Sequence, residues 1–171
     1  MKLIISNLTK TYKNGVKATD NLSIEIGTGM FGLLGPNGAG KSTLILHMNG
    51  ILNGKHGELT IAGMAMEEEN LPVIRALVGL VFQNPDDQLF SPTVFDDVAF
   101  GPLYMGLGEE EVYQRVEAAL AAVQMEDFGD RLSHHLSMGQ KKRIAIATVL
   151  AMKPQILILD EPSSVLDPRS R

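Results

Sequence analysis

The sequence predicts an α/β fold with an antiparallel β portion near its start and an inserted helical lobe. Three observations support this prediction. A glycine-rich segment, residues 35–40, lies between the apolar run 30–34 and a stretch of helical character. The continuous apolar run 156–159 is typical of a parallel strand that is covered on both faces. Between these two regions, residues 109–125 repeat apolar positions with the period of an amphipathic helix.

The other elements follow from local patterns. Apolar runs at 3–5, 22–26 and 31–34 predict strands, with turns at 14–15 and 27–29. A helix is expected at 40–47, strands at 58–61 and 78–82, and a further helix at 141–152. We therefore expect one domain over 1–171. Its nucleotide-binding core would comprise 1–91 and 151–171, with a helical lobe at 92–150.

Composition excludes several functional classes. The chain of 171 residues has a net charge of −5 and no cysteine. A general nucleic-acid-binding surface is therefore disfavoured, and neither a disulfide framework nor a thiolate metal site can form. The apolar runs are too short to span a bilayer, and the first ten residues lack the long apolar segment of a signal peptide. These features predict a cytoplasmic protein unless a partner holds it at a membrane.

The most informative segment fits the pattern of Gly, four residues, then Gly-Lys-Ser, and it contains Gly35, Pro36, Asn37, Gly38, Ala39, Gly40, Lys41 and Ser42. A loop this rich in glycine can point successive backbone N–H groups inward and bind an anion, and the following helix adds its positive end. Lys41 can reach the outer phosphates of a nucleotide, and Ser42 can ligate Mg²⁺. Thr43 continues the helix. The alternative interpretation is a glycine turn before an ordinary helix.

A second signal is the pair of acids, Asp160 and Glu161, directly after the apolar run 156–159. This places them at the carboxyl edge of a sheet, where ligands of open α/β sheets bind. Asp160 can hold Mg²⁺ and Glu161 can polarise an attacking water. Solvated acids at a strand end are the alternative interpretation.

A third signal is Leu-Ser-Met-Gly-Gln at 136–140. Ser137 and Gln140 have the spacing of a helix capping box. Exposed N–H groups and a hydroxyl at a helix start also form an anion site.

In this order, the three motifs resemble those of ATP-binding-cassette (ABC) ATPases, and the resemblance covers essentially the whole chain. It implies a phosphate-loop fold and Mg²⁺-dependent ATP hydrolysis with Glu161 as the catalytic residue. It further implies that Tyr12 stacks on adenine, that Ser42, Gln83 and Asp160 arrange Mg²⁺, and that Ser164 and Asp167 belong to the D-loop. The pentad residues Ser137, Met138, Gly139 and Gln140 would act in trans, on ATP held by a second subunit.

Residues 81–90 and 93–102 are similar to the ATPase subunits of cobalt-type and energy-coupling-factor importers. Those proteins form dimers beneath membrane subunits and drive uptake of metal ions or vitamins. The resemblance implies a second ATPase subunit, identical or paralogous, integral membrane partners, a peripheral location at the cytoplasmic face of the membrane, and no nucleic acid.

Two departures from the family pattern leave alternatives open. Met138 stands where the pentad usually has Gly, and a positive φ there would strain it. No switch histidine follows the D-loop before Arg171, so the sequence is expected to be truncated at its C-terminal end. The alternatives are a non-hydrolysing or defective nucleotide-binding module, and a soluble cassette ATPase that acts on nucleic acid or the ribosome. A small-molecule phosphate-loop kinase fits less well, because the pentad would have no role in it.

Overall fold

The computed structural model describes residues 2–33, 35–36, 38–52 and 56–160. The chain divides into two compact units, with the boundary between Arg75 and Ala76. The predicted division into a core and a lobe stays a prediction. Among the described residues, no helix is both long enough and apolar enough to cross a bilayer.

The first unit contains a four-stranded antiparallel sheet in the order β2-β1-β3-β4. Its strands are β1 (Leu3–Thr11), β2 (Lys17–Ile26), β3 (His56–Ile61) and β4 (Met64–Ala65). The helix α1 (Lys41–Met48) follows β2, and most of α2 (Leu71–Leu77) belongs to this unit, whose last residue is Arg75. The antiparallel portion predicted near the start of the chain is thus confirmed.

A bulge in β1 keeps its apolar side chains on one face of the sheet. Leu3 and Ile5 are buried two residues apart, but the next buried residue is Leu8. The extra residue is accommodated by Asn7, whose φ is 54°, and the register against β3 shifts at this point. A bulge of this kind re-aims the following side chains, so Leu8 returns to the core.

The start of α1 is fixed by a close approach to β2. Gly40 has a φ of 83°, and a Cβ built on it would lie 2.0 Å from the carbonyl oxygen of Ala18. Glycine is therefore required twice, for the left-handed backbone and for the missing side chain. Gly38 has the same φ but open space around it.

The second unit combines a two-stranded parallel sheet with three long helices. Strand β5 (Val78–Val81) pairs in parallel with β6 (Ile156–Leu159). The helices are α3 (Val94–Tyr104), α4 (Glu109–Ala122) and α5 (Met138–Leu150). They share a core in which Val98, Val116 and Ile144 are fully buried.

The predicted stripe of α4 is confirmed. Val112, Val116 and Leu120 are buried, and Val123, just beyond the helix, packs against the same core. Helix α5 begins at Met138, three residues earlier than the predicted start at Lys141, because the capping box at Ser137 initiates it.

Two expectations about strands were wrong. The described residues 31–33 form no strand, and Phe31 is 59% exposed, since no described strand pairs with them. Leu34 lies outside the described residues. The strand at 156–159 exists, but it is not covered on both faces: Leu157 and Leu159 are 41% and 38% exposed. The apolar run alone indicates a strand but not how many layers cover it.

We expect Gly40→Ala to destabilise the protein more than Gly38→Ala. Both variants place alanine at a left-handed φ, which costs about 1 kcal/mol. Gly40→Ala must also move the loop away from the backbone of β2, which adds about 2 kcal/mol because a carbonyl oxygen cannot rotate aside as a side chain can. Denaturant unfolding measures both free energies. Equal losses for the two variants would show that the contact with Ala18 constrains nothing.

Candidate functional site

The phosphate-loop residues that the structure describes lie before the first turn of α1. Gly35, Pro36, Gly38 and Ser42 are exposed. No described side chain caps the N-terminus of α1, and the first turn contains no acidic residue. A helix start without a side-chain cap is compatible with the predicted anion site, because its first backbone N–H groups have no partner within the helix. Asn37 lies outside the described residues.

Lys41 is folded over its own loop. Its Nζ donates to the carbonyl oxygens of Gly35 at 2.6 Å and Pro36 at 3.0 Å. An ammonium group held over this loop adds a full positive charge near the N-terminus of α1. Phosphate oxygens are stronger acceptors for an ammonium than neutral carbonyls are. The lysine is thus placed where an incoming phosphate can exchange for the carbonyl partners.

Tyr12 is tied to the same helix. Its hydroxyl lies 3.0 Å from Oγ1 of Thr43, and the residue is 39% exposed. The ammonium of Lys10 lies 5.9 Å from the centre of the ring. The contact with Thr43 places an aromatic ring with an exposed part beside the helix that follows the phosphate loop, which is compatible with the predicted stacking on a base.

His47 is a residue of α1 that the sequence analysis did not select. It is buried, and its Nδ1 lies 2.7 Å from the carbonyl oxygen of Thr43. Because that oxygen can only accept, Nδ1 carries the proton. Burial lowers the pKa of His47, the Thr43 carbonyl acts in the opposite direction, and the charge of Lys10 lowers it further. A lone histidine on an apolar helix gives no sequence signal that would have identified it.

In the second unit, Gln83 and Asp160 follow neighbouring parallel strands. The last residues of these strands, Val81 and Leu159, are partners in the ladder. The backbone N–H of Asp160 donates to the carbonyl oxygen of Val81 at 3.1 Å. Both residues therefore follow the carboxyl ends of the two strands, where ligands of open α/β sheets bind.

The donor set at this edge fits Mg²⁺. A carboxylate and an amide oxygen are hard oxygen ligands, and Mg²⁺ keeps several waters and takes few protein ligands. No group of three or more acidic, histidine or cysteine side chains is gathered as a metal cluster in the described part of the chain. The predicted residues Glu161, Ser164 and Asp167 lie outside the described residues.

The pentad begins α5 as a complete capping box. Ser137 Oγ accepts from the N–H of Gln140 at 3.3 Å, and the Gln140 Oε1 accepts from the N–H of Ser137 at 2.9 Å. Met138 is the first helical residue, and its φ is not positive. The steric cost considered for methionine at this position therefore does not arise. A Cβ on Gly139 would meet no atom within 4 Å, so this face of the helix start is open.

Comparisons with known proteins agree with these motifs. A family model described as ABC transporter matches residues 19–164. The energy-coupling factor transporter ATP-binding protein EcfA of Carboxydothermus hydrogenoformans is 55% identical over 98% of this chain. EcfA of Methanocaldococcus jannaschii is 54% identical over 92% of it. The chain spans 62% and 57% of the lengths of these two relatives.

Solved structures show the same relationship. The structure of cbiO1 from Clostridium perfringens, part of the ABC transporter complex cbiONQ, has a TM-score of 0.85 and 42% identity, covering 98% of this chain and 68% of that one. A dimeric post-hydrolysis structure of the ATP-binding cassette MJ0796, bound to ADP and Pi, has a TM-score of 0.88 and 30% identity, with coverage of 98% and 77%. With the family match extending over most of its length, the chain belongs to the ABC transporter family.

Proposed function

We propose that this chain binds and hydrolyses ATP and is the energy-supplying part of a membrane importer. The observation that carries the proposal is the loop before α1, where Gly40 packs against β2 and Lys41 lies over the loop carbonyls. This arrangement collects uncapped amides and an ammonium at a helix N-terminus, in a protein whose net charge is −5. Local donors of this kind can bind a polyanion even though the net negative charge of the protein would repel it at long range.

In the proposed mechanism, the loop amides and Lys41 hold the phosphates, and Tyr12 stacks on the adenine. Ser42, Gln83 and Asp160 would hold Mg²⁺, which supplies charge neutralisation between the phosphates when bound. Glu161 orients water and accepts its proton. Phosphoryl transfer needs little covalent chemistry from the protein, so positioning and electrostatic stabilisation determine the rate.

The open start of α5 supports action in trans. Ser137 is exposed and Gly139 leaves space on one side, so a phosphate carried by a second subunit can approach the helix start. The positive end of α5 would then face the outer phosphate. The MJ0796 cassette, which is similar to this chain, was solved as a dimer bound to ADP and Pi. The partner in our proposal is a second ATPase subunit, identical or paralogous.

An exposed aromatic cluster supports docking to membrane subunits at the cytoplasmic face. Phe90 packs edge-to-face on Phe100 at 4.9 Å, and Phe100 stacks on Tyr104 at 6.5 Å. These side chains and Leu103 are between 51% and 83% exposed. Exposed apolar patches of this type mark interaction sites.

The names of the relatives support the proposed importer class. EcfA is named as an energy-coupling factor transporter protein and cbiO1 as part of the cbiONQ complex. We propose uptake of a metal ion such as cobalt, or of a vitamin.

We expect Lys41→Ala to weaken the binding of Mg·ATP by about 30-fold, because a charge-assisted contact of roughly 2 kcal/mol is lost. Lys17→Ala is the matched control, since Lys17 pairs with Asp20 on the surface. Isothermal titration calorimetry on the protein that carries this chain measures both. Undetectable heat with the unmodified, folded protein would refute the proposed function.

Two substitutions of Tyr12 test whether its ring stacks on the adenine base. Tyr12→Phe keeps the ring and loses the contact with Thr43, so ATP affinity should fall only a few-fold, about the net value of one hydrogen bond. Tyr12→Ala also loses the stacking surface and should cost about tenfold. Tyr113→Ala, on the exposed face of α4, is the control. If Tyr12→Ala weakened the binding of inorganic triphosphate, which has no base, as much as the binding of ATP, the loss would not come from stacking.

Glu161→Gln separates hydrolysis from binding. The variant keeps size and polarity but cannot accept a proton, so turnover should fall by about 10²- to 10⁴-fold while the dissociation constant of Mg·ATP stays within about twofold. Phosphate release and calorimetry give the two values. If the unmodified protein binds ATP without turnover, the non-hydrolysing alternative replaces this proposal.

A further inference from the structure

The segment 82–89, called the bridge loop below, is attached to α5 along one face of that helix. Lys141 Nζ lies 2.6 Å from Asp86 Oδ1. One turn further, the Gln88 side chain reaches Ala145 and Thr148. Positions 141, 145 and 148 are four and three residues apart and therefore share a face of the helix. The bridge loop contains Gln83 near its start, and the helix begins within the pentad.

Gln88 forms the central contact between the bridge loop and α5, and both the oxygen and the nitrogen of its side-chain amide make hydrogen bonds. Oε1 accepts from the backbone N–H of Phe82 at 3.1 Å. Nε2 donates to the carbonyl oxygen of Ala145 and to Thr148 Oγ1, each at 2.7 Å. Because Phe82 offers only a donor and Ala145 only an acceptor at these atoms, the amide can be oriented in one way only.

The bridge loop itself is internally braced. Asn84 caps the turn at Pro85–Asp87 by accepting from the N–H of Asp86 at 3.3 Å. The N–H groups of Gln88 and Leu89 both donate to the carbonyl oxygen of Pro85 at 3.0 Å. Leu89 packs against the apolar cluster that contains Ala145 and Val149. Because these contacts hold the loop in one conformation, a displacement of α5 would move the loop as a unit.

We infer that Gln88 is a positioning residue that couples Gln83 to the pentad by joining the end of β5 to α5. The inference rests on the proposed function, because it assigns Gln88 a role in ATP hydrolysis. In that proposal, Gln83 acts at the ATP site of its own subunit and the pentad acts at the ATP site of the second subunit, and both must be in position for turnover. Gln88 touches neither ATP nor Mg²⁺ in this scheme. It fixes the backbone one residue before Gln83 relative to the helix that carries Ser137 and Gly139.

The first test compares Gln88→Met with Gln114→Met in the intact protein. Gln114 lies on the exposed face of α4 and bonds to Glu110, one turn away. Methionine keeps the length of glutamine without its hydrogen bonds. We expect Gln88→Met to lower kcat by about tenfold, the scale of a small misplacement of reacting groups, with KM and the Mg·ATP dissociation constant within about twofold. Gln114→Met should match the unmodified protein.

The second test removes the other end of the contact and covers the case in which Gln88→Met does not fold. Thr148→Val deletes the hydroxyl that accepts from Gln88, whereas Thr148→Ser retains it. We expect a reduced kcat for the valine variant and recovery with serine. Combined with Gln88→Met, Thr148→Val should add no further loss, since both break one connection.

The outcomes are distinguishable. An unmodified protein without turnover refutes the proposed function and this inference with it. Normal turnover in both Gln88→Met and Thr148→Val refutes this inference alone. So does a parallel loss of ATP binding and thermal stability in Thr148→Val that serine does not restore, because the contact would then serve only folding.

Discussion

The packing of Gly40 against the carbonyl oxygen of Ala18 is the contact on which the proposed phosphate site depends. It brings the loop and the first turn of α1 against the backbone of β2, at a distance that no side chain permits. The helix N-terminus that results is uncapped among the described residues. Lys41, the next residue, is then in place to close over the loop. Backbone conformation, rather than side-chain chemistry, thus sets the geometry of the proposed anion site.

In the second unit, helix α5 fixes the position of the pentad. Its capping box at Ser137 fixes where the helix starts, and its buried residues anchor it in the core shared with α3 and α4. Lys141 is only 16% exposed at its side chain, yet it pairs with Asp86. An ion pair with one partner this sheltered is less screened by solvent than a pair on the open surface. The motif at the helix start is therefore held by packing and by polar contacts further along the same helix.

Charge distribution reconciles the acidity of this protein with the polyanionic ligand that we propose for it. The net charge of −5 disfavours long-range attraction of nucleotide or nucleic acid. The proposed nucleotide binding then depends on short-range donors, and the first turn of α1, which contains no acidic residue, can supply them. Acidic residues are instead gathered at the start of α4, where Glu109, Glu110 and Glu111 complement that helix's own positive end.

The sequence by itself determined the motifs, most helices and strands, and the family, because glycine spacing, capping and apolar period are local signals. It predicted the α4 stripe and the capping box correctly. It was wrong about a strand at 31–33 and about the covering of Leu157 and Leu159, since pairing and layering depend on distant segments. Only the tertiary structure showed that His47 is buried, that the backbone of Ala18 leaves no room for a side chain at Gly40, and that Gln88 donates to Thr148. The last two are contacts between residues far apart in the chain, and the local sequence gives no sign of the partner.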